Sequence, residues 1–310
     1  MDIAATPNRS TLALIGAAAS WGIATAISKR AVDELPPLVL LAIQLSASVV
    51  ALSIVMRLAH VPFRDPDAQP VLGRLGILNP GIAYLLSLIG LVSIGASVSV
   101  LLWATEPLWI LALAALVLGE RLVPGAVVAS GVAIAGLALV VAGGGGAIAP
   151  IGVILSIAGV ICCAVYTVVA RRWIGTADGT APVVLTQQAY ALAVVLAGIA
   201  VVAVSGQLTI GPITPLGWAS AIVSGLLYYA TAYWLYLSAL RELPASVASA
   251  SFYLIPVFGV AASVILLGER LEPIQWVGAV VVVVAVAIVL RLSLASTRPV
   301  AEPAHMEPTS

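Results

Sequence analysis

Three stretches of this sequence, Pro124–Ala142, Ile151–Ala170 and Ala181–Val204, run without a single charged side chain. Each reaches the ~18–20 residues an α-helix needs to cross a ~30 Å hydrocarbon core. Lipid offers no partner to a backbone N–H or C=O, so a spanning segment closes its own hydrogen bonds, as a helix or within a closed barrel. These runs are rich in Ala, Val and Leu and lack period-2 alternation, so they read as helices. The rest of the chain agrees. Only 8% of its 310 residues are charged and its mean hydropathy is +1.17, whereas a water-covered domain carries about 25% charge. The expected fold class is an all-α integral membrane protein.

Hydropathy with Pro and Gly punctuation divides the chain into ten transmembrane helices. Residues 1–142 hold the first five, 143–150 form a short Gly-rich link, and 151–291 hold the second five. Residues 292–310 read as a disordered cytoplasmic tail. The first apolar run, Leu12–Ile27, is long for a signal peptide and reads as a retained span. An even number of spans puts both termini on one side. With the termini in the cytoplasm, ten of the thirteen Lys and Arg residues fall inside and only Lys29, Arg30 and Arg270 outside, as the positive-inside rule requires. The expected location is a bacterial inner membrane, and one Lys against twelve Arg fits a high-GC bacterial genome.

The pentapeptide LGERL occurs twice, at Leu118–Leu122 and Leu267–Leu271, 149 residues apart. The same offset pairs Gly76 with Gly225, Tyr84 with Tyr233, Ala96-Ser97-Val98 with Ala245-Ser246-Val247, Pro107 with Pro256, and Pro124 with Pro273. Between Gly76 and Pro124 about 18 of 49 gapless positions are identical. This is an internal duplication. Each copy holds five spans, an odd number, so the second lies upside down relative to the first. Inverted repeats are a hallmark of secondary transporters, whose substrate sites lie near the midplane between the repeats.

Five-span halves that each end on "P…LGERL" with a following Pro resemble the drug/metabolite transporter superfamily, specifically its EamA-type members. The resemblance covers essentially the whole span region. It implies a ten-helix carrier with cytoplasmic termini that moves small metabolites such as amino acids, often outward. Members frequently carry a basic residue in the second span of each half, where this chain has Gln44 and Gln187-Gln188.

Nearly every charged residue lies in a loop, a tail or at a span end, with one exception. Glu106, in WATEPLW, falls near the centre of the fourth span. A charge at that depth costs about 2.5–3.5 kcal/mol, so the side chain faces a cavity or is protonated. Two roles are open to it: helix packing, or substrate-amine recognition and proton coupling. Pro107 follows and invites a bend. Its counterpart Pro256 shares the bend, but Ile255 stands where the acid would be. Ser99, Trp103 and Glu106 share a helical face. In the eighth span Tyr229, Tyr233 and Tyr236 form a stripe with Tyr228 beside it; Tyr84 is the repeat partner of Tyr233, and Asn79 that of Tyr228. Trp21, Tyr166 and Tyr253 add aromatic groups, which either pack helices or wall a pocket. With the amides of Gln44, Gln187 and Gln188 they suit an amphiphilic small molecule. Within LGERL, Glu120, Arg121, Glu269 and Arg270 are candidates to cap helix ends and hold neighbours in register, or to gate.

No metal or cofactor is called for. No H-E-x-x-H occurs, and adjacent Cys162 and Cys163 suit neither an ordinary disulfide nor a metal cage. Formal net charge is zero, which leaves no footprint for nucleic acid. No ATP-binding motif occurs. The expected partners are the lipid bilayer, a small molecule and, if transport is coupled, protons; a monomer suffices because one chain supplies both halves. An uncoupled facilitator or a drug exporter of the same fold are alternatives. The different-class alternative is a membrane enzyme, resting only on an H-x4-D match at His60 and Asp65.

Overall fold

A computed structural model of the chain describes residues 7–64, 70–118, 124–143, 149–171, 180–240 and 254–296. Asp65, Glu120, Arg121, Tyr253 and the tail from residue 297 lie outside the described residues. Among those described, every element is helical: α1 Pro7–Val32, α2 Pro37–Leu58, α3 Pro70–Arg74, α4 Ala83–Leu91, α5 Ala96–Trp103, α6 Glu106–Leu118, α7 Pro124–Gly143, α8 Pro150–Arg171, α9 Thr180–Val204, α10 Pro215–Gly225, α11 Ala232–Leu240, α12 Leu254–Leu267 and α13 Pro273–Ser296. Many start on proline, whose missing N–H is an orphan at the first helical position anyway. Seven helical runs are long and apolar enough to cross a membrane, and two shorter apolar helices, Leu254–Leu267 and Pro273–Val289, follow.

Three spans depart from plain α-helix, each for a local reason. Between α3 and α4 the chain passes through a 3-10 turn, Leu75–Ile77, and a π-helical segment, Leu78–Ile82, in which Asn79 takes an extended backbone ahead of Pro80. Between α10 and α11 a second π-helical segment covers Leu226–Thr231. An offset of 149 maps one π segment onto the other, so the duplication has kept the irregularity. Such bulges cluster at functional sites. The fourth span, expected as one helix, breaks at Ala104–Thr105 into α5 and α6. Pro107 cannot donate to the Trp103 carbonyl one turn back, and the Thr105 hydroxyl donates to Leu102 O at 2.6 Å, tightening the last turn of α5. Glu106 thereby opens α6. Pro256 sits in the first turn of α12, where its missing N–H breaks no hydrogen bond.

The helices pack in pairs that survive an exchange of the two halves. α1 lies against α10, α11 and α12; correspondingly α8 lies against α4, α5 and α6. α2 packs on α10 and on its own counterpart α9, while α9 packs on the π segment before α4. α5, in the fourth span, meets α12, in the ninth, and α7 meets its counterpart α13. The match extends to single residues. A Cβ on Gly76 would stand 2.5 Å from Gln187 Cα, and one on Gly225 would stand 2.5 Å from Gln44 Cα. No real side chain fits there, so the two glycines let backbones touch, as small residues do between membrane helices.

Lys29, Glu34 and Glu269 tie separate segments together at one end of the bundle. Lys29 donates to the carbonyls of Leu91 (2.8 Å) and Val92 (3.2 Å) at the C-terminal end of α4, and its ammonium lies 3.5 Å from Asp33. Glu34 accepts from Thr214 N at 2.8 Å and from its hydroxyl at 2.9 Å, at the start of α10. Glu269 accepts from the backbone N–H of Ala96 (2.6 Å) and Ser97 (3.0 Å), the first residues of α5. A cation thus meets a helix C-terminus and carboxylates meet two N-termini, each complementing the helix dipole. The Ala149 N–H donates to Ser93 O on this same face. The other span ends meet through apolar contacts, Leu14 with Ala239, Met56 with Leu185, and Leu72 with Ala170 and Val183.

Candidate functional site

Two aromatic groups line the space between the halves. Tyr84 stacks on Trp103 with ring centroids 4.9 Å apart and meets Tyr228 and Tyr229 edge-on at 5.1 and 5.2 Å. Trp21 meets Tyr233 at 5.6 Å and Tyr236 at 5.8 Å. Their rings come from α1, α4, α5, α11 and the π segment before α11. The Trp103 indole N–H donates to Ser87 at 2.7 Å, which fixes that ring against the π face of Tyr84.

Glu106, at the start of α6, packs against α8. Its Oε1 accepts from Cys163 Sγ at 3.3 Å and from the Thr167 hydroxyl at 3.5 Å. Tyr166, Tyr228, Tyr233 and Tyr236 all lie within electrostatic reach of the carboxylate. Glu106, Tyr228 and Tyr233 are each part-buried and keep accessible surface. Sequence reasoning set Cys163 aside as neither disulfide nor metal ligand and passed over Thr167. Their i, i+4 spacing beside Tyr166, on an otherwise apolar helix, was the signal available.

The amides behave differently from one another. Gln188 accepts from Ser48 at 2.7 Å and donates to Tyr229 O at 3.1 Å, a carbonyl of the second π segment. Gln187 accepts from the Tyr166 hydroxyl at 3.0 Å and donates to Leu72 O at 2.9 Å. Gln188 therefore ties α9 to the second and eighth spans, and Gln187 ties it to the third and sixth. Gln44 donates to Ser28 (2.9 Å) and Ser224 (2.8 Å), while its buried Oε1 finds no protein donor. Gln44, Thr25, Ser28, Ser87 and Ser99 line a cavity of about 20 Å³ beside Tyr84 and Tyr228, enough for one water molecule. Asn79 is buried with its Oδ1 unpartnered, and Arg270 is exposed.

The sequence profile of the EamA-like transporter family matches residues 8–142 and again residues 150–291. This chain belongs to that family. No curated protein matches it. A solved structure described only as "Crystal structure of protein" is similar over 94% of this chain and 99% of its own, with a TM-score of 0.63 and 18% identity. At that identity the likeness establishes the fold alone.

In an EamA-like transporter, a multi-pass membrane protein, the groups just described have a plain chemical reading. Glu106, Trp103, the tyrosines and the neighbouring Ser and Thr residues offer one carboxylate, several aromatic faces and several hydroxyls. Among the described residues every Lys and Arg lies in a loop or near a span end. Groups of these kinds can hold a small molecule by dispersion, cation–π contact and hydrogen bonding. No metal-binding cluster occurs among the described residues. Trp103→Phe should lower melting temperature by a degree or two, because one hydrogen bond worth about 1 kcal/mol is lost; differential scanning fluorimetry in detergent would read it.

Proposed function

We propose that this protein is a secondary transporter working by alternating access, with ten spans arranged as two inverted five-span repeats around the Glu106 chamber. Its cargo is a small amphiphilic metabolite, with amino acids as the first class to test. Export from the cytoplasm across a bacterial inner membrane is the direction the family resemblance favours. The observation that carries this reading is the exchange symmetry of the packing, with π segments repeated at equivalent places beside the chamber. Alternating access needs two halves that can trade conformations, and a duplicated, interlocked pair supplies them.

Ten spans also make sense of the contacts at the span ends. If spans alternate direction, the turns near residues 33, 93, 149, 210 and 269 share one face, and hydrogen bonds join 33 with 210, 93 with 149 and 93 with 269. By the charge rule that face is outside. The second LGERL copy then has a definite job. Glu269 of one repeat caps the ASV helix start of the other, two duplicated motifs in mutual contact. We read this as an outer latch between the repeats. Glu269→Ala should cost about 1–2 kcal/mol of stability, as loss of a strong helix cap does, and should raise labelling of a cysteine placed at Ser97 by an external maleimide. Unchanged labelling with the stability loss would leave Glu269 a cap and no latch.

The deciding experiment is uptake of labelled solutes into proteoliposomes, with and without a proton gradient. Saturable uptake that a gradient drives uphill supports coupled transport. Saturable uptake indifferent to the gradient makes the protein a facilitator. Absence of uptake across amino acid, drug and nucleoside panels would remove the transport reading.

A further inference from the structure

The Glu106 chamber has a pronounced asymmetry of charge, and it narrows the cargo beyond the amphiphile proposed above. Glu106 is the sole Asp or Glu placed in the middle of a span. Its protein partners are both neutral. A cysteine thiol is a weak donor, and the Thr167 hydroxyl at 3.5 Å is a long contact. Both address Oε1; among the described residues nothing donates to Oε2. No described Lys or Arg approaches, because Lys29 is committed to the α4 carbonyls and Asp33 at the far end of the bundle. An ionisable group at this depth normally has a counter-charge, and here the protein supplies none among the described residues.

We propose that the missing partner is the cargo's ammonium group, and that the chamber selects small organic amines with an aromatic or apolar body over amino acids and carboxylic acids. The inference rests on the chamber being the cargo site. An ammonium presents up to three N–H donors to the open carboxylate oxygen, and its charge sits well over tyrosine π faces. Tyr166 lies on the same helix as the Cys163 and Thr167 that hold the carboxylate, and Tyr228 and Tyr233 belong to the aromatic groups around Tyr84 and Trp21. Trp103 and Tyr84, already stacked, offer a flat wall for a ring. An α-amino acid brings a carboxylate that is tied two bonds from its nitrogen. That second negative charge would lie close to Glu106 with only hydroxyls to receive it, and like charges in a low-dielectric site strongly disfavour one another. An acid without an amine would have no favourable charge contact at all.

Binding of phenethylamine, phenylalanine and 3-phenylpropionate to the full-length protein in nanodiscs tests this, read by quenching of tryptophan fluorescence. The three probes share a ring and differ only in charged groups. The expected order is phenethylamine first, phenylalanine at least about tenfold weaker, and 3-phenylpropionate without effect, since unpaired like charge costs at least that much. Glu106→Gln should weaken phenethylamine about 100-fold, while Glu106→Asp keeps part of the affinity. Phenylalanine or phenylpropionate binding as tightly as the amine overturns the proposal, as does absence of amine binding; these readings use the unmodified protein and need no variant to fold. Flux separates the two levels. If the protein transports acids through a chamber that ignores amines, the amine inference fails and the transporter stands. If amines bind and nothing is moved, the reverse holds.

Discussion

Glu106→Gln protein is expected to take up cargo at roughly 1% of the wild-type rate while melting at the same temperature or higher. The two halves of this expectation have opposite signs for one reason. In the empty protein the Glu106 carboxylate is an expense: it lies at midspan with two neutral donors and no described counter-charge. An amide of the same shape removes that burden and keeps an acceptor for Cys163 and Thr167, so stability holds or rises. Transport loses the one charge that can read a cation, and removing one member of a buried charge pair typically costs 2–5 kcal/mol, about 100-fold near the middle of that range. Proteoliposome flux and thermal melting of the same preparation check both signs. A variant that transported normally but melted well below wild type would make Glu106 a structural residue. Stability given up at a functional site is a common pattern.

The second large effect concerns glycine. Gly225→Val and Gly76→Val should each prevent assembly of a folded protein. A Cβ at either position would stand 2.5 Å from the backbone of Gln44 or Gln187, respectively. Backbone cannot yield as a side-chain tip can, and overpacking of this kind starts at about 1–3 kcal/mol even where neighbours relax. Gly→Ala should already lower the melting temperature measurably. The informative comparison is between the two sites. If each half mirrors the other, equivalent glycines should fail to a similar degree, whereas a tolerant site beside an intolerant one would break the symmetry. By contrast, Gly131 meets nothing within 4 Å of an added Cβ, so Gly131→Ala should be accepted and gain helix propensity.

The duplication and the helical class were legible in the sequence, because they rest on patterns that span many residues, and Glu106 stood out as one residue of the wrong polarity. LGERL announced its own repetition. What it could not announce was its partner. Glu269 caps Ala96 and Ser97, which are 173 and 172 residues away; sequence flags both motifs as duplicated without linking them. The π segments were equally hidden. Pro80 hints at one, but Leu226–Thr231 contains neither Pro nor Gly, and its irregularity is sustained by Gln188 donating to the Tyr229 carbonyl from another helix. The glutamines divide along the same line. Composition marks Gln44, Gln187 and Gln188 alike as polar groups at depth, and tertiary structure alone decides which meets a protein partner at both ends and which keeps a bare oxygen over a cavity. The bend of the fourth span was legible in the proline after Glu106, and Thr105 sharpens it into a break between α5 and α6.

Inversion of the two halves is the claim on which the latch, the chamber and the transport cycle all depend. Pro124 and Pro273 are equivalent residues of the two repeats, and both are exposed. Placing a single cysteine at either position, in a background with Cys162 and Cys163 replaced, allows each to be probed in intact cells with a membrane-impermeant maleimide. Inverted repeats predict that Cys at 273 labels from outside and Cys at 124 labels only after lysis. Labelling of both from the same side would contradict the inverted fold and, with it, the alternating-access account.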